Sequence, residues 1–397
     1  MEFVRTCFDS VMERMKEPRN KIQVLAGPRQ VGKSTLMNQV IESLTIPVFL
    51  FNADGINEDD TDWIRRSWES VRMQMRNNNY QEVLLVIDEI QKIKQWSDAI
   101  KREWDADTRN NINIKVALLG SSRLLLRKGL TESLAGRFEL IRMGHWTYQE
   151  MRDAFGFTLE QWIYYGGYPG SALYINDIRR WKRYIKDSLV APSIKKDVIM
   201  TSNIYKPALM KQLFELGCSY SSEMLSLTKM LGQLQDAGNV TTLSSYLEIL
   251  GQCNLLTGIG KYAKDEARKR QSPPKLLVYN NALLTAYKGR SYEKDCIDPV
   301  TWGRWVESAI GVYLLEIAEE NGCKLYYWHD RADEVDFILE YQGEILAIEV
   351  KSGRRGMNSG LPEFCKRFNP KRAFVVGTDG IPIEEFLKCD VMQLFDL

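Results

Sequence analysis

Hydrophobic residues follow two different spacings in the first 150 residues. Short apolar runs, separated by polar segments, predict five buried strands at residues 22–26, 47–52, 83–87, 114–119 and 138–143. Between these runs, apolar residues recur every three or four positions, which indicates amphipathic helices. Strands that alternate with helices predict an α/β fold with a parallel sheet, covered by helices on both faces.

The remaining chain follows a different order of elements. After a helical stretch, three helices are predicted at 207–216, from residue 222, and over 240–250, and two strands follow at 255–259 and 276–278. Three helices and a two-stranded wing are typical of a winged helix. The last part combines a helix, a strand and a hairpin, at residues 302–321, 324–328 and 334–351. We therefore predict four parts: residues 1–150, 151–205, 206–280 and 281–397.

The loop after the first strand matches the phosphate-binding pattern G-x-x-x-x-G-K-[ST] at every specified position. Glycines let successive backbone N–H groups turn towards a phosphate. The lysine would contact the β- and γ-phosphates, and the serine hydroxyl would ligate Mg²⁺. The residues predicted to bind the nucleotide are Gly27, Pro28, Arg29, Gln30, Val31, Gly32, Lys33, Ser34 and Thr35.

A pair of acidic residues ends the third apolar run. Asp88 is expected to hold the Mg²⁺ water shell, and Glu89 to orient and partly deprotonate the attacking water. Switch-type GTPases lack this second carboxylate, so the pair favours an ATPase that hydrolyses with its own base. The predicted ligands are therefore ATP and Mg²⁺.

Two further residues are candidates for the same reaction. Ser121, after the fourth strand, could sense the γ-phosphate, and it could also cap the following helix. Arg137 could act as an arginine finger within one subunit or across a homo-oligomer interface. The alternative for Arg137 is an ordinary surface ion pair.

These motifs resemble a prokaryotic family of AAA-type P-loop ATPases. The resemblance rests on residues 27–34, 88–92, 120–122 and 134–138, and on Gly166-Gly167-Tyr168-Pro169. It implies an AAA-like ATPase domain, followed by a C-terminal domain of unknown function with an α/β restriction-endonuclease-like core. The chain departs from the family at residues 144–150, where relatives usually show Pro-Leu-Ser-Phe-x-Glu.

The last hairpin carries a second candidate site. Side chains alternate along a strand, so Glu349 and Lys351 share one face, and Asp336 on the partner strand can converge on Glu349. This arrangement resembles the PD-(D/E)xK nucleases, with Glu307 matching their helical acid. Such a group could hold Mg²⁺ and activate water for phosphodiester cleavage. A degenerate scaffold or a ligand-recognition role remains the alternative.

Composition limits where DNA could bind. The formal net charge is +1, so the chain as a whole is not a basic nucleic-acid binder. The helix at 240–252 contains no Lys or Arg, which argues against sequence reading. The predicted wing is basic, and its phosphate contacts would be independent of sequence. Its basic residues are Lys261, Lys264, Arg268, Lys269 and Arg270. The competing interpretation is a rigid spacer or oligomer contact.

Other counts suggest location and class. No apolar run is long enough for a bilayer, and seven scattered cysteines suit a reducing compartment. We therefore expect a cytoplasmic protein without a membrane partner. Three functional hypotheses stay open: an ATP-gated nuclease, a nucleotide-switched scaffold that binds without cutting, and a signalling NTPase with slow turnover.

Overall fold

The computed structural model describes residues 3–120, 133–199, 204–236, 238–265, 272–353 and 360–396. The chain divides into two compact units, Met1–Gly144 and His145–Leu397. The boundary falls where the sequence departs from the family pattern. Ser121 and the basic residues Arg268, Lys269 and Arg270 lie outside the described residues. The finer division into four parts stays a prediction.

The first unit contains the five-stranded sheet that the hydrophobic runs predict. The strands are β1 (Ile22–Ala26), β2 (Val48–Asn52), β3 (Val83–Asp88), β4 (Ile114–Gly120) and β5 (Phe138–Arg142). Their order is β2-β3-β4-β1-β5, and every neighbouring pair is parallel. The prediction of a parallel α/β sheet is therefore confirmed. β1 is an inner strand, and the loop after it lies at the carboxyl ends of the parallel strands, where such sheets bind ligands.

Two apolar cores cover the two faces of this sheet. On β3, Val83, Leu85 and Ile87 point to one core, and Leu84 and Val86 point to the other. The helices of this unit are α1 (Phe8–Lys16), α2 (Lys33–Ser43), α3 (Asp62–Asn78) and α4 (Trp96–Arg109). Helices α3 and α4 contribute to the first core, and α1 and α2 to the second. Burial on both faces explains why the strands are continuous apolar runs.

The second unit begins with short helices. Thr147 and Glu150 form a reciprocal capping box at the start of the first one, as do Thr158 and Gln161 at the start of the next. The helices are α5 (Tyr148–Phe155), α6 (Leu159–Tyr165), α7 (Ile178–Arg183), α8 (Pro207–Ser219), α9 (Leu227–Leu231), α10 (Val240–Gln252), α11 (Asn281–Tyr287), α12 (Tyr292–Cys296), α13 (Pro299–Asn321), α14 (Leu361–Phe368), α15 (Ile383–Phe386) and α16 (Gln393–Asp396). Two π-helical segments, Tyr184–Val190 and Ser193–Ile199, follow α7. In the described parts of the chain, no helix has the length and apolar character that crossing a bilayer requires.

A six-stranded mixed sheet forms the centre of this unit. Its strands are β6 (Leu256–Lys261), β7 (Lys275–Val278), β8 (Lys324–Asp330), β9 (Asp333–Tyr341), β10 (Glu344–Lys351) and β11 (Arg372–Gly377), in the order β11-β10-β9-β8-β6-β7. The hairpin of β9 and β10 forms with Glu344 opposite Tyr341 and Ile348 opposite Phe337.

The three helices and two strands between residues 207 and 278 occur in the expected order. The strands β6 and β7 are antiparallel, but β6 also pairs in parallel with β8, with Gly260 opposite Tyr326. The elements before and after residue 280 therefore share one sheet. The winged-helix interpretation stays a prediction.

Candidate functional site

The phosphate-binding loop joins the end of β1 to the start of α2. A Cβ atom on Gly27 would lie 2.1 Å from the carbonyl oxygen of Met143, so the close approach of this backbone excludes any side chain. Gly32 has φ of +90°, in the left-handed region that favours glycine. Both glycines of the motif are therefore required by the backbone. The loop ends at the N-terminus of an 11-residue helix, where backbone N–H groups attract anions.

Three of the predicted site residues meet at this loop. The Lys33 side chain is 7% exposed, and its Nζ donates to the carbonyl oxygens of Gly27 at 3.0 Å and Pro28 at 2.7 Å. The Ser34 hydroxyl donates to Asp88 Oδ2 at 2.7 Å. The folded chain thus brings the loop and the end of β3 together, although they are separated by more than 50 residues.

The residues that meet here fit a magnesium ion. A hydroxyl and a carboxylate are the hard oxygen donors that Mg²⁺ prefers. Ser34 Oγ and Asp88 Oδ2 face each other at 2.7 Å, beside the loop that would hold the phosphates. Asp88 Oδ1 accepts the backbone N–H of Glu89 at 2.8 Å, which fixes the orientation of this carboxylate. Ser34 and Asp88 are therefore the residues that would hold the ion.

Glu89 is held in an unusual backbone conformation. Its φ is +54°, which is uncommon for a residue with a side chain. The Gln91 side chain is buried, and its Nε2 donates to Glu89 Oε2 at 2.7 Å. Sequence reasoning did not assign a role to Gln91. The available signal was its position two residues after Glu89, in the short 3₁₀ turn Ile90–Lys92.

Arg137 contacts an acidic residue of its own unit. Its guanidinium donates to both carboxylate oxygens of Asp105 in α4, at 2.8 and 3.1 Å, and each side chain is about a third exposed. The hydrogen bond from Arg137 lowers the pKa of Asp105 below its ordinary value. The ion pair that the sequence left open is therefore present, and the arginine-finger role stays a prediction.

The predicted nuclease-like residues lie around one end of the hairpin in the second unit. Glu307 is on α13, Asp336 on β9, and Glu349 and Lys351 on β10. The last paired residues of the hairpin are Ile348 and Phe337, the direct neighbours of Glu349 and Asp336, and Asp336 Oδ2 accepts the backbone N–H of Val350 at 2.8 Å. Besides burial, the charge of Asp336 contributes to the raised pKa of Glu349, so the two carboxylates lie close together, while their chemical roles stay a prediction.

A lysine that sequence reasoning missed lies among these acids. Lys275, the first residue of β7, is 1% exposed. Its Nζ lies 2.5 Å from Glu307 Oε1, 3.3 Å from Glu334 Oε1 and 3.4 Å from Asp336 Oδ1. The only sequence signal was a lysine that opens the apolar strand Lys275–Val278, where a charged side chain needs buried partners. We name the group Glu307, Glu334, Asp336, Glu349 and Lys275 the acidic cluster.

Burial shifts the pKa values of three carboxyl groups in the acidic cluster. It raises the pKa of Glu307 to about 8 and that of Glu349 to about 8, and it also raises the pKa of Asp336. Burial by itself would lower the pKa of Lys275, but the surrounding carboxylates outweigh it and raise this pKa. Lys275 therefore stays charged, and part of the carboxyl groups are protonated at neutral pH.

The described part of the basic wing is small. Lys261 ends β6, and Lys264 Nζ lies 5.9 Å from the centre of the Phe368 ring. Because the other three basic residues lie outside the described residues, the DNA interpretation depends on their sequence alone.

Three family models match successive parts of the chain. Residues 19–152 match an AAA domain (AAA_14), residues 156–294 match a domain of unknown function (DUF8612), and residues 302–389 match a second domain of unknown function (DUF4143). No curated protein matches the chain. The restriction-endonuclease-like core that the resemblance implies stays a prediction.

Several solved structures are similar to parts of the chain. A variant of Thermotoga maritima RuvB shares 15% identity, with 64% of this chain and 86% of that chain covered and a TM-score of 0.33. A katanin structure that concerns katanin self-assembly shares 18% identity, covers 38% of this chain and has a TM-score of 0.27. C. elegans PCH-2 shares 14% identity, covers 36% of this chain and also has a TM-score of 0.27.

The chain spans 50% of the katanin chain and 44% of the PCH-2 chain. The match to the AAA domain and the geometry of the phosphate-binding loop both indicate a P-loop fold for the first unit. Residues 19–152 form an AAA-type P-loop ATPase domain, which supports ATP binding and hydrolysis.

Proposed function

We propose that the protein binds ATP with Mg²⁺, hydrolyses it, and couples the nucleotide state to its C-terminal unit. The observation that carries this proposal is the contact of the Ser34 hydroxyl with Asp88 at 2.7 Å, directly after the phosphate-binding loop. Two distant segments meet there with the donor types that a nucleotide and its metal need. The AAA domain match over residues 19–152 supports the same chemistry.

The loop residues would hold the triphosphate. Lys33 donates to two neutral carbonyls, and these bonds can be exchanged for charge-assisted bonds to the β- and γ-phosphates. The backbone N–H groups of residues 27–35 would contact the phosphate oxygens. Ser34 and Asp88 would hold Mg²⁺, and the ion would supply positive charge next to the phosphates.

Glu89 would accept the proton of the attacking water. Gln91 donates to one of its carboxylate oxygens at 2.7 Å, which fixes the orientation of this carboxylate. We therefore assign Gln91 as a positioning residue for Glu89. Ser121 would sense the γ-phosphate, and Arg137 would leave Asp105 to neutralise the transition state, within one subunit or in a homo-oligomer.

The C-terminal unit would be the part that responds to the nucleotide. The basic residues Lys261, Lys264, Arg268, Lys269 and Arg270 support contact with DNA phosphates, without reading of the sequence. The alternative is a scaffold that binds a protein partner through a catalytically inactive nuclease-like domain. The position of Lys275 among the acids favours a unit that binds without cutting.

The first experiment separates ATP binding from hydrolysis. Glu89→Gln keeps the shape of the side chain and removes the base, so we expect nucleotide binding by calorimetry to persist. Phosphate release should fall roughly 10²- to 10⁴-fold, the usual contribution of a general base. Glu42→Gln, an exposed residue of α2, is the matched control and should keep wild-type turnover. Turnover by Glu89→Gln at the wild-type rate would remove the proposed mechanism.

A second experiment tests DNA contact. Fluorescence anisotropy with a short duplex would compare wild type with the triple variant Arg268→Ala, Lys269→Ala, Arg270→Ala over a range of salt. If each residue contacts one phosphate, the slope of log affinity against log salt decreases by about 2 to 3. The control is the charge-matched exposed triple Arg65→Ala, Arg66→Ala, Arg76→Ala in α3. Equal slopes for both triples would contradict contact through the wing.

A further inference from the structure

Lys275 joins three elements of the second unit through its ammonium group. The lysine begins β7, and its partners Glu307 and Asp336 lie on α13 and β9. Glu334, also on β9, is the third partner. Lys275 Nζ donates hydrogen bonds to Glu334 Oε1 at 3.3 Å and to Asp336 Oδ1 at 3.4 Å, and it forms an ion pair with Glu307 Oε1 at 2.5 Å. The ammonium group is therefore in contact with three carboxylates from two different elements.

The ammonium group takes the place that a divalent ion would need. Mg²⁺ and related hard ions bind carboxylate oxygens at about 2.0 to 2.6 Å. An ion at these distances from Glu307, Glu334 and Asp336 would overlap Lys275 Nζ, which already contacts the same three oxygens. It would also place two cations in direct contact inside a buried group, where charge repulsion is strong. The residues do not fit the metal that a nuclease-like site requires.

The burial of Lys275 argues against a role as a group that contacts substrate. Its side chain is 1% exposed, and the Phe337 ring centre lies 5.2 Å from Nζ on the inner side. A group that touches substrate needs an open approach, which this burial denies. Removing the ammonium would leave Glu307 and Asp336 without the cation that contacts both of them, so its position is costly to change.

We infer that Lys275 is the permanent counter-ion of the acidic cluster and that it excludes divalent metal from this site. The cluster then ties β7, α13 and β9 together and has no metal-dependent chemistry of its own. Glu349 Oε2 is buried and accepts no hydrogen bond from any residue that the structure describes, so an oxygen ligand is available once the ammonium is removed. The inference concerns the second unit alone and does not depend on ATP hydrolysis.

The experiment measures Mn²⁺ binding to the nucleotide-free full chain by electron paramagnetic resonance. Wild type is compared with Glu349→Gln, which removes one potential carboxylate ligand from the cluster and leaves the P-loop sequence unchanged. We expect the two titrations to superpose, because the cluster takes up no Mn²⁺ in either protein. Any weak uptake at Ser34 and Asp88 is common to both proteins and cancels in the comparison.

The second arm removes the cation with Lys275→Met. We expect a new Mn²⁺ site, with affinity at least about tenfold above any wild-type uptake at the cluster (~1.4 kcal/mol), and its loss in Lys275→Met with Glu349→Gln. Wild-type Mn²⁺ uptake that Glu349→Gln abolishes would overturn the inference, and this result does not require the lysine variant to fold. A folded Lys275→Met variant without added Mn²⁺ uptake would show that the ammonium is not what excludes the metal. ATP binding, measured separately, reports on the first unit and identifies a failure of the proposed function.

Discussion

Lys33, the first residue of α2, and Lys275, the first residue of β7, are both buried lysines, but their partners differ. The Nζ of Lys33 donates to two neutral backbone carbonyls of the phosphate-binding loop. The Nζ of Lys275 is surrounded by three carboxylates in the second unit. A triphosphate can replace neutral carbonyls, because it offers the ammonium negative charge that they lack. A lysine that is already paired with three acids gains no new charge-assisted contact from a phosphate.

The comparison teaches that burial of a lysine does not by itself indicate its role. The charge of the partners decides whether the lysine can receive a ligand or serves as a counter-ion. The same reasoning applies to the acids. Asp88 accepts hydrogen bonds from a hydroxyl and a backbone N–H, which are both neutral, so its carboxylate could also bind a metal ion. The acids around Lys275 are already in contact with a cation. The following four predictions test this contrast in order of expected effect.

The largest effect is expected from Lys275→Met. Breaking a buried ion pair by removal of one partner typically costs about 3–5 kcal/mol of unfolding free energy. The loss should be larger at pH 8.5 than at pH 5, because burial raises the pKa of Glu307 and of Glu349 to about 8, and the protonated acids need no counter-ion. Denaturant unfolding at both pH values measures the effect. Lys371→Met, which breaks the surface pair with Glu344, is the control and should cost less than about 1 kcal/mol.

Lys33→Met should weaken ATP binding strongly and change stability little, the reverse of the effect expected for Lys275→Met. We expect ATP affinity to fall at least about 100-fold, or ~2.7 kcal/mol, because the phosphates lose a charge-assisted donor. Thermal stability without nucleotide should change by no more than about 2 °C, since the bonds that Lys33 Nζ donates to Gly27 and Pro28 go to neutral carbonyls. Calorimetry and thermal unfolding measure the two quantities. A large loss of stability without loss of affinity would reverse the contrast between the two lysines.

Glu349→Gln tests the pH dependence of the acidic cluster. A carboxyl group with a raised folded pKa contributes stability that is present below its unfolded pKa, near 4.5, and is lost as the pH rises through about 8. The amide does not ionise, so we expect equal stability at pH 4.5 and a melting temperature about 2–4 °C above wild type at pH 8.5. Glu344→Gln, on the exposed part of the same strand, is the control. A variant that is less stable than wild type at pH 8.5 would contradict the expected sign.

The smallest effect is expected from Asp105→Asn. Its pair with Arg137 is partly exposed, so the unfolding free energy should fall by less than about 1 kcal/mol. If Arg137 acts on the nucleotide, release from Asp105 should keep ATP turnover within about twofold of wild type or raise it. Steady-state phosphate release measures the effect, with Arg137→Ala beside it. Unchanged turnover in Arg137→Ala would exclude a role for this residue as an arginine finger.

The positions of the phosphate-binding motif and of the acidic pair could be predicted because their residues follow a fixed spacing. The loop at residues 27–34 and the acids at 88 and 89 each follow a buried strand, and the carboxyl ends of parallel strands meet at one edge. The hairpin of β9 and β10 was also expected from the alternation of its side chains. The pairing of β6 with β8 could not be predicted, because strands more than 60 residues apart leave no local signal of their pairing in the sequence.

The sequence by itself determined the parallel sheet of the first unit and the loop that ends at Lys33 and Ser34, because hydrophobic period and glycine geometry act over a few neighbouring residues. Only the tertiary structure decided the partners of Lys275, Gln91 and Arg137. Ion pairs depend on distances between distant segments, and a lysine in an apolar strand does not reveal which acids will surround it. The fold sets those distances, and with them the difference between a lysine beside backbone carbonyls and a lysine among carboxylates.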